Sequence, residues 1–429
     1  MSALFLFTSF FILLFMSVPV AVAIGLSSFV TIILFQEVSA MFVVQGFLDS
    51  VSPFPVLAIP LFIFSGLIMA STGIAEDIVR AAKIIVSGAR TGLMSSAIIA
   101  CALFAAVSGS SVATTVAIGS ILISQLVESG YEKSYIGAVL AAGGTLGPII
   151  PPSIGFIIYG MVTGTSVVKL FIAGILPGII MAISLILMNS FICVRSGFRE
   201  TGGQRERRTF QDIFRAFWKA KWALATPIII LGGIYGGIFT PTEAGAVAAV
   251  YSIFIGIIVY HKASWEIITK TFIRATLISA SILVIVGMSG AFGRLITIQQ
   301  IPQRVAYFAL NISQSPILVL IFLNVIMLIA GCFIEATACI LILVPIFFPL
   351  ITNLGINPVH FGVIVGVNIT IGTITPPLGV CLYAASSLTH EPVEKLIKKV
   401  LPFFLVLLIT LILVTFIPEI SLFLVDLLY

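Results

Sequence analysis

Charge is what this sequence has least of. Only 9% of its 429 residues are Asp, Glu, Lys or Arg, against 60% hydrophobic. A soluble domain averages roughly 25% charged residues, and no soluble fold can bury so much apolar surface. The shortage of charge excludes a water-soluble protein, so the useful unit is the spanning segment of about 20 apolar residues. Histidine is nearly absent: His261, His360 and His390 lie far apart at segment ends. That argues against a zinc site and against a histidine-based triad. The five cysteines, Cys101, Cys193, Cys332, Cys339 and Cys381, sit in apolar stretches with no C-x-x-C pair. They read as packed thiols rather than a disulfide or metal framework. No span carries a Ser/Lys pair or two aspartates, as an intramembrane hydrolase needs, and none shows the continuous polar stripe of a channel. The N-terminus, Met1-Ser2-Ala3-Leu4, lacks a basic region and a following small-residue cleavage site. It reads as a retained membrane helix rather than a signal peptide.

What charge there is has an address. Between Arg195 and Lys221 stand eight basic residues (Arg195, Arg199, Arg205, Arg207, Arg208, Arg215, Lys219, Lys221) against Glu200, Glu206 and Asp212, and their excess equals the whole chain's net charge of +5. Positive charge concentrates in cytoplasmic loops, which fixes this loop inside and makes a nucleic-acid surface the weaker reading. Tracing backward, apolar segments near 168–194 and 134–162 cross out and in. The stretch from about 92 to 127 has Arg80, Lys83 and Arg90 on one flank and Lys133 on the other. With both flanks inside, it reads as a re-entrant hairpin with the small polar tip Ser108-Gly109-Ser110-Ser111. A span near 53–71 leads to an acidic outer loop with Glu37 and Asp49. The run from Leu4 to Phe35 is too long for one ordinary helix and is expected to divide at Pro19 and Gly25. Forward of the basic loop, spans are expected near 223–239, 243–260 and 271–292. Thr240-Pro241-Thr242-Glu243 reads as a capping box with Pro at the first helical position, which makes Glu243 structural. A charged stretch, Arg294 to Arg304, precedes a second hairpin near 315–351 and spans near 358–386 and 396–418.

The two halves match. Shifting the chain by 225 residues places Gly130 on Gly355, Gly137 on Gly362, Thr145 on Thr370, Gly147 on Gly372, Pro151-Pro152 on Pro376-Pro377, and Pro177 on Pro402. These residues mark backbone geometry rather than oiliness. The expected fold is an all-α integral membrane protein, an inverted repeat with two re-entrant hairpins and two helices broken at Pro-Pro. Adjacent prolines remove backbone donors and clash with the preceding turn. Unwound backbone at membrane depth is tolerated only inside protein or along a polar cavity. A simple kink is the competing reading for one such motif; two at symmetric positions, each opposite a polar tip, favour a site.

Broken helices present carbonyls to a cation and amide ends to an anion. Proton coupling generally uses buried ionisable relays, and Glu335 is the main such residue here, so Na⁺ is favoured over H⁺. Symmetry then names ligands. Sodium site 1 combines Ser108 and Ser110 with carbonyls around Gly147, Ile150 and Pro152. Sodium site 2 combines Gly331, Glu335 and Thr337 with Gly372, Thr375 and Pro377. Ser108, Ser110, Ser111, Thr115, Ser153 and Asn368 are candidate substrate contacts. Helix packing by small residues competes for the serines, and a structural bond to a backbone donor competes for Glu335. No organic cofactor is expected.

Ser108-Gly-Ser-Ser-Val-Ala-Thr-Thr, Gly147-Pro-Ile-Ile-Pro-Pro-Ser-Ile and Phe239-Thr-Pro-Thr-Glu-Ala-Gly resemble the large membrane subunit of TRAP transporters, of the DctM and SiaM type in the ion transporter superfamily. The resemblance covers essentially the whole chain. It implies a periplasmic substrate-binding protein and a small membrane subunit as partners, here on a separate chain, and Na⁺-driven uptake of an organic acid by an elevator movement in the bacterial inner membrane. It implies a division into scaffold helices of repeat 1 (1–72), arm, hairpin and transport-domain helices of repeat 1 (73–194), the basic loop (195–222), scaffold helices of repeat 2 (223–293), and arm, hairpin and transport-domain helices of repeat 2 (294–429). Sialic acid (N-acetylneuraminate) is favoured over a C4-dicarboxylate, because a dianion should want more fixed positive charge than the core offers. A stand-alone sodium/anion symporter of similar architecture is the alternative.

Overall fold

The computed structural model describes residues 2–35, 39, 41–86, 91–197, 210–312 and 315–429, with side chains omitted at 210–217, 219, 309, 310 and 312. Glu37, Arg90, Arg199, Glu200, Arg205, Glu206, Arg207 and Arg208 lie outside the described residues, as do the side chains of Asp212, Arg215 and Lys219.

Lipid offers the backbone no hydrogen bonds, so a spanning chain satisfies its N–H and C=O groups within helices. The described residues form helices throughout and no strand. The first half runs α1 (Ser2–Phe15), α2 (Val20–Phe35), α3 (Met41–Val51), a 3-10 turn (Phe54–Leu57), α4 (Ala58–Ser71), α5 (Ile74–Ile85), α6 (Gly92–Ser108), α7 (Ser111–Glu128), α8 (Lys133–Gly144), α9 (Ile154–Thr163) and α10 (Val167–Arg195). The second runs α11 (Phe210–Tyr235), α12 (Pro241–Ile258), α13 (Trp265–Ile298), α14 (Ile301–Ile312), α15 (Pro316–Phe333), α16 (Ala336–Asn353), α17 (Pro358–Gly372), α18 (Val380–Thr389), α19 (Val393–Phe416) and α20 (Glu419–Leu428). Among the described residues, eight helices are long and apolar enough to cross a membrane. The protein is a multi-pass membrane protein.

Helix starts recur with the expected spacing. The starts of α6 to α10 return as those of α15 to α19, displaced by 225 residues to within one. The halves differ where α13 runs unbroken for 34 residues. Its counterpart is cut into α3, the 3-10 turn and α4 by Pro53 and Pro55, which stand where α13 has Ile278 and Ala280. At 1.5 Å per residue α13 is about 51 Å long, more than the roughly 30 Å hydrocarbon core.

Three local expectations change. The break in the N-terminal run falls at Pro19 alone; Gly25 lies inside α2, close against Met288. Asp49 belongs to helix α3, not to a loop, and pairs with Arg294 on α13. α20 follows the last expected span as a further short apolar helix, packed on α10 and α17. The capping box is present as read: Thr240 accepts from the Glu243 N–H, and the Glu243 carboxylate accepts from the Thr240 N–H.

The helices pack in two sets, which also meet directly where α13 lies on α16 and α4 on α6. α13 packs on α2, α3 and α4, and α4 on α12. In the second group α7, α18 and α19 surround α8, while α17 packs on α15, α16 and α10. α5 bridges the groups, touching α11 on one side and α6 on the other. Its Asp77 accepts from the Tyr260 hydroxyl at 2.6 Å, and its Glu76 pairs with Lys262. α14 similarly touches α13 and α16. Large apolar side chains such as Leu277 on α13 and Leu405 on α19 are left exposed, as suits a chain whose surroundings are apolar.

Candidate functional site

A helix starting inside an apolar protein leaves its first N–H groups unpaired, and a polar side chain one residue before the helix relieves this. The site residues are largely such caps. Ser110 accepts from the Ala113 N–H at the start of α7, and Ser153 from the Phe156 N–H at the start of α9. Glu335 accepts from the Thr337 N–H at 2.9 Å at the start of α16. The tip between α6 and α7 turns at Gly109, whose φ of 61° suits a residue without a side chain.

Each broken helix meets its own tip through bare backbone. A Cβ on Gly147 would lie 2.5 Å from the Ser110 carbonyl oxygen, and one on Gly109 would lie 2.7 Å from the Pro152 carbonyl oxygen. In the second half, a Cβ on Gly372 would lie 2.8 Å from the Gly331 backbone. Gly147 and Gly372 are repeat mates 225 apart, but Gly372 meets Gly331, the mate of Ala106 rather than of Ser110, so each half makes its own close contact between broken helix and hairpin. The Pro151-Pro152 and Pro376-Pro377 bonds are both cis. The first pair is buried and the second exposed.

Between the tips lies a cavity of about 130 Å³. Ser110 and Ser111 reach it from the first tip, Glu335, Ala336 and Thr337 from the second, Ile154, Gly155 and Val380 from α9 and α18, and Thr370 and Thr373 from α17. Ile282 on α13 closes one side. The starts of α7, α9, α16 and α18 therefore all abut one cavity. A second cleft, about 450 Å³, shares Ser110, Val112, Ile154 and Ile282 with it and runs past Ser108 between α4, α7 and α13. A third, about 600 Å³, lies beside the Asp49–Arg294 pair.

The other candidates have different surroundings. The Ser108 hydroxyl shares a 2.8 Å hydrogen bond with Thr114 and lines the second cleft. Thr115 is fully buried and donates to the Ser111 carbonyl, pressed against Gly144 where α7 crosses α8. Ser153 is fully buried and donates to the Pro148 carbonyl. Asn368 donates to the Asn324 side chain at 2.7 Å, tying α17 to α15, and its own Oδ1 is buried without a partner. The Ile150 side chain packs on Gly178 of α10. Thr375 donates to the Ile371 carbonyl in its own turn, and Pro377 is exposed; neither lines the central cavity. Two lining residues, Thr370 and Thr373, were not among the sequence candidates. Thr370 carried a signal, its coincidence with Thr145 across the repeat.

Helices broken at paired prolines and met by hairpin tips around a shared cavity define a membrane transporter rather than an enzyme. The sequence pattern described as tripartite ATP-independent periplasmic transporter, DctM component, matches residues 7–420, and the chain belongs to that family of large permease subunits of the inner membrane. It is 41% identical over 400 residues to the C4-dicarboxylate TRAP transporter large permease protein DctM of Pseudomonas aeruginosa, covering 93% of each chain. It is 36% identical to the sialic acid TRAP transporter large permease protein SiaM of Vibrio cholerae, over 97% of this chain and 96% of that one. It is 38% identical to the isethionate TRAP transporter permease protein DctMQ of Oleidesulfovibrio alaskensis, over 97% of this chain but 65% of that longer one. Among solved structures, the YdaH transporter of Alcanivorax borkumensis superimposes with a TM-score of 0.62 at 14% identity, covering 87% of this chain and 86% of that one. The fold is shared at that distance.

Proposed function

We propose that this chain is the translocating subunit of a three-protein, Na⁺-driven uptake system for a compact organic anion, working by an elevator movement. The anion reading rests on the four helix N-termini, of α7, α9, α16 and α18, that abut the central cavity. Each such terminus carries about half a positive charge, and the first-turn N–H groups not taken by the Ser110, Ser153 and Glu335 caps are available to an anion. The hydroxyls of Ser110, Ser111, Thr337, Thr370 and Thr373 supply further donors. This positive field removes the reason for preferring a monoanionic sugar acid. The cavity also lies below the roughly 300–1,000 Å³ typical of drug-sized ligands. Both points move the preferred substrate from sialic acid toward a small carboxylate or sulfonate; the relatives are themselves named for dicarboxylate, isethionate and sialic acid alike.

Sodium coupling is supported by oxygen atoms that lack protein partners or face the tips. The Pro152 carbonyl lies against Gly109. The buried Asn368 Oδ1 has no partner and sits one helical turn before Gly372. In this reading sodium site 1 lies around Ser110, Gly147 and Pro152. Sodium site 2 lies around Gly331, Glu335, Thr337 and Gly372, where the ion's charge offsets the Glu335 carboxylate. Asn368 thus moves from the substrate list toward the second ion. α1–α4 and α11–α13 act as the scaffold that holds the small membrane subunit. α6–α10 and α15–α19 move as one transport body on the arms α5 and α14.

The test is uptake of labelled succinate, isethionate and N-acetylneuraminate into proteoliposomes holding this chain with its cognate small subunit and binding protein. Uptake of a small anion that requires an inward Na⁺ gradient and the binding protein is expected. Uptake that ignores Na⁺ but collapses with a proton gradient sinks the coupling. Uptake undiminished when the binding protein is omitted favours the stand-alone symporter.

A further inference from the structure

Among the described residues, the second cleft has one charged residue in its wall, Arg274 on α13. Among the described residues this guanidinium has no ion-pair or hydrogen-bond partner: it is absent from every such contact, and its side of α13 is exposed. A cation in a membrane-spanning helix generally faces a partner or a water-filled path. Here it faces the path. Arg274, Ile278 and Ile282 follow one another at four-residue spacing along one face of α13 and all line the cleft. Ile282 also borders the central cavity, which puts the two stations about 12 Å apart along the helix. The contrast with the other side is sharp. The repeat places Arg274 where the first half has Asp49, and Asp49 is neutralised by Arg294 in the third cleft. The lining of the second cleft reaches Ser71 at the end of α4, on the side of Arg80 and Lys83, the side read as cytoplasmic.

We propose that Arg274 is a second anion-binding station, which receives the carboxylate or sulfonate of the solute as it leaves the central cavity toward the cytoplasm. The proposal rests on the anion reading above. Helix termini hold an anion without a countercharge to carry away, so departure along an apolar wall would be slow. A guanidinium roughly two turns down the same wall gives the anion a partner before it reaches water, with bidentate geometry suited to a carboxylate or sulfonate. Because α13 belongs to the static group, the station stays fixed while the hairpin tip passes it.

Two measurements test this. Ser120 lines the same cleft from α7, and the native cysteines are all buried, so Ser120→Cys gives a clean reporter. Sulfonatoethyl and trimethylammonioethyl methanethiosulfonate are compared on S120C with and without R274Q, in the purified complex. A preference for the anionic reagent that drops about fivefold in R274Q is expected, the size of a unit charge acting across a wet cleft. In proteoliposomes, R274Q should lower the maximal uptake rate about tenfold with less than a twofold change in KM, and R274K should keep at least half the native rate. Equal labelling ratios in both backgrounds overturn the proposal, as does native transport by R274Q. A native complex that moves no organic anion but keeps charge-selective labelling refutes the transport reading and leaves the anion station standing.

Discussion

Gly147 and Gly372 are positions where a single methyl group decides the geometry. A Cβ on either would enter the backbone of the facing hairpin tip, at 2.5 Å and 2.8 Å, distances that force something to shift. Overpacking of this kind costs about 1–3 kcal/mol. Gly147→Ala and Gly372→Ala should therefore each lower the melting temperature and abolish Na⁺-dependent uptake. Gly293→Ala is the control: nothing lies within 4 Å of its Cβ position inside α13, so it should be neutral or gain up to about 1 kcal/mol. Melting curves and uptake on the three variants check this. At the same scale, the sequence named the tip residues Ser110, Ser111, Glu335 and Thr337, which do reach the cavity. It also named Thr115 and Ser153, whose hydroxyls are spent on nearby carbonyls. A small polar residue beside a helix break can face the cavity or cap the helix, and composition does not distinguish the two.

Among the elements, helix caps and inter-helix ion pairs set how firmly each segment is held. Thr240→Ala removes the capping box of α12, neither member of which lines the central cavity, and should cost about 0.5–2 kcal/mol of stability with uptake per folded molecule unchanged. Thermal unfolding set against initial uptake rates separates the two effects. The loop before α8 is tied to α19 by Glu132, which accepts from Lys399 at 2.6 Å and also from Ser134. Those two hydrogen bonds hold its carboxyl below the ordinary glutamate value. Its contribution is therefore present above the unfolded-state value, about 4.3, and lost as pH falls through the lower folded-state one. The pair is largely exposed, so the effect should be under about 1 kcal/mol. Stability measured from pH 6 to pH 3 should fall less steeply in Glu132→Gln than in the native chain. An equal slope in both would show that the pair is silent. The element plan was legible because Gly, Pro and charge punctuate it. α3 was not, because Asp49 near a turn reads as loop when its partner Arg294, 245 residues away, is unknown.

For the whole molecule, ion binding should register as global stability. A ligand held by the folded state alone adds about 2.7 kcal/mol at one hundred times its dissociation constant. Replacing choline with Na⁺ should raise the melting temperature of the complex, and Asn368→Ala should reduce that shift; a melting curve indifferent to Na⁺ would count against both ion sites. The paucity of charge, the basic loop and the Pro-Pro repeat are local or periodic properties, so the sequence by itself determined a multi-pass membrane protein of two matched halves with polar tips opposite broken helices. It could not determine what those tips enclose. Four helix N-termini become a positive field only when chain segments more than two hundred residues apart meet at one cavity. Among the described residues, Arg274 becomes an unpaired cation lining a cleft only when α4, α7 and α13 form its walls. Electrostatics and cavity shape depend on distances between segments remote in the chain, and the tertiary structure alone decided them.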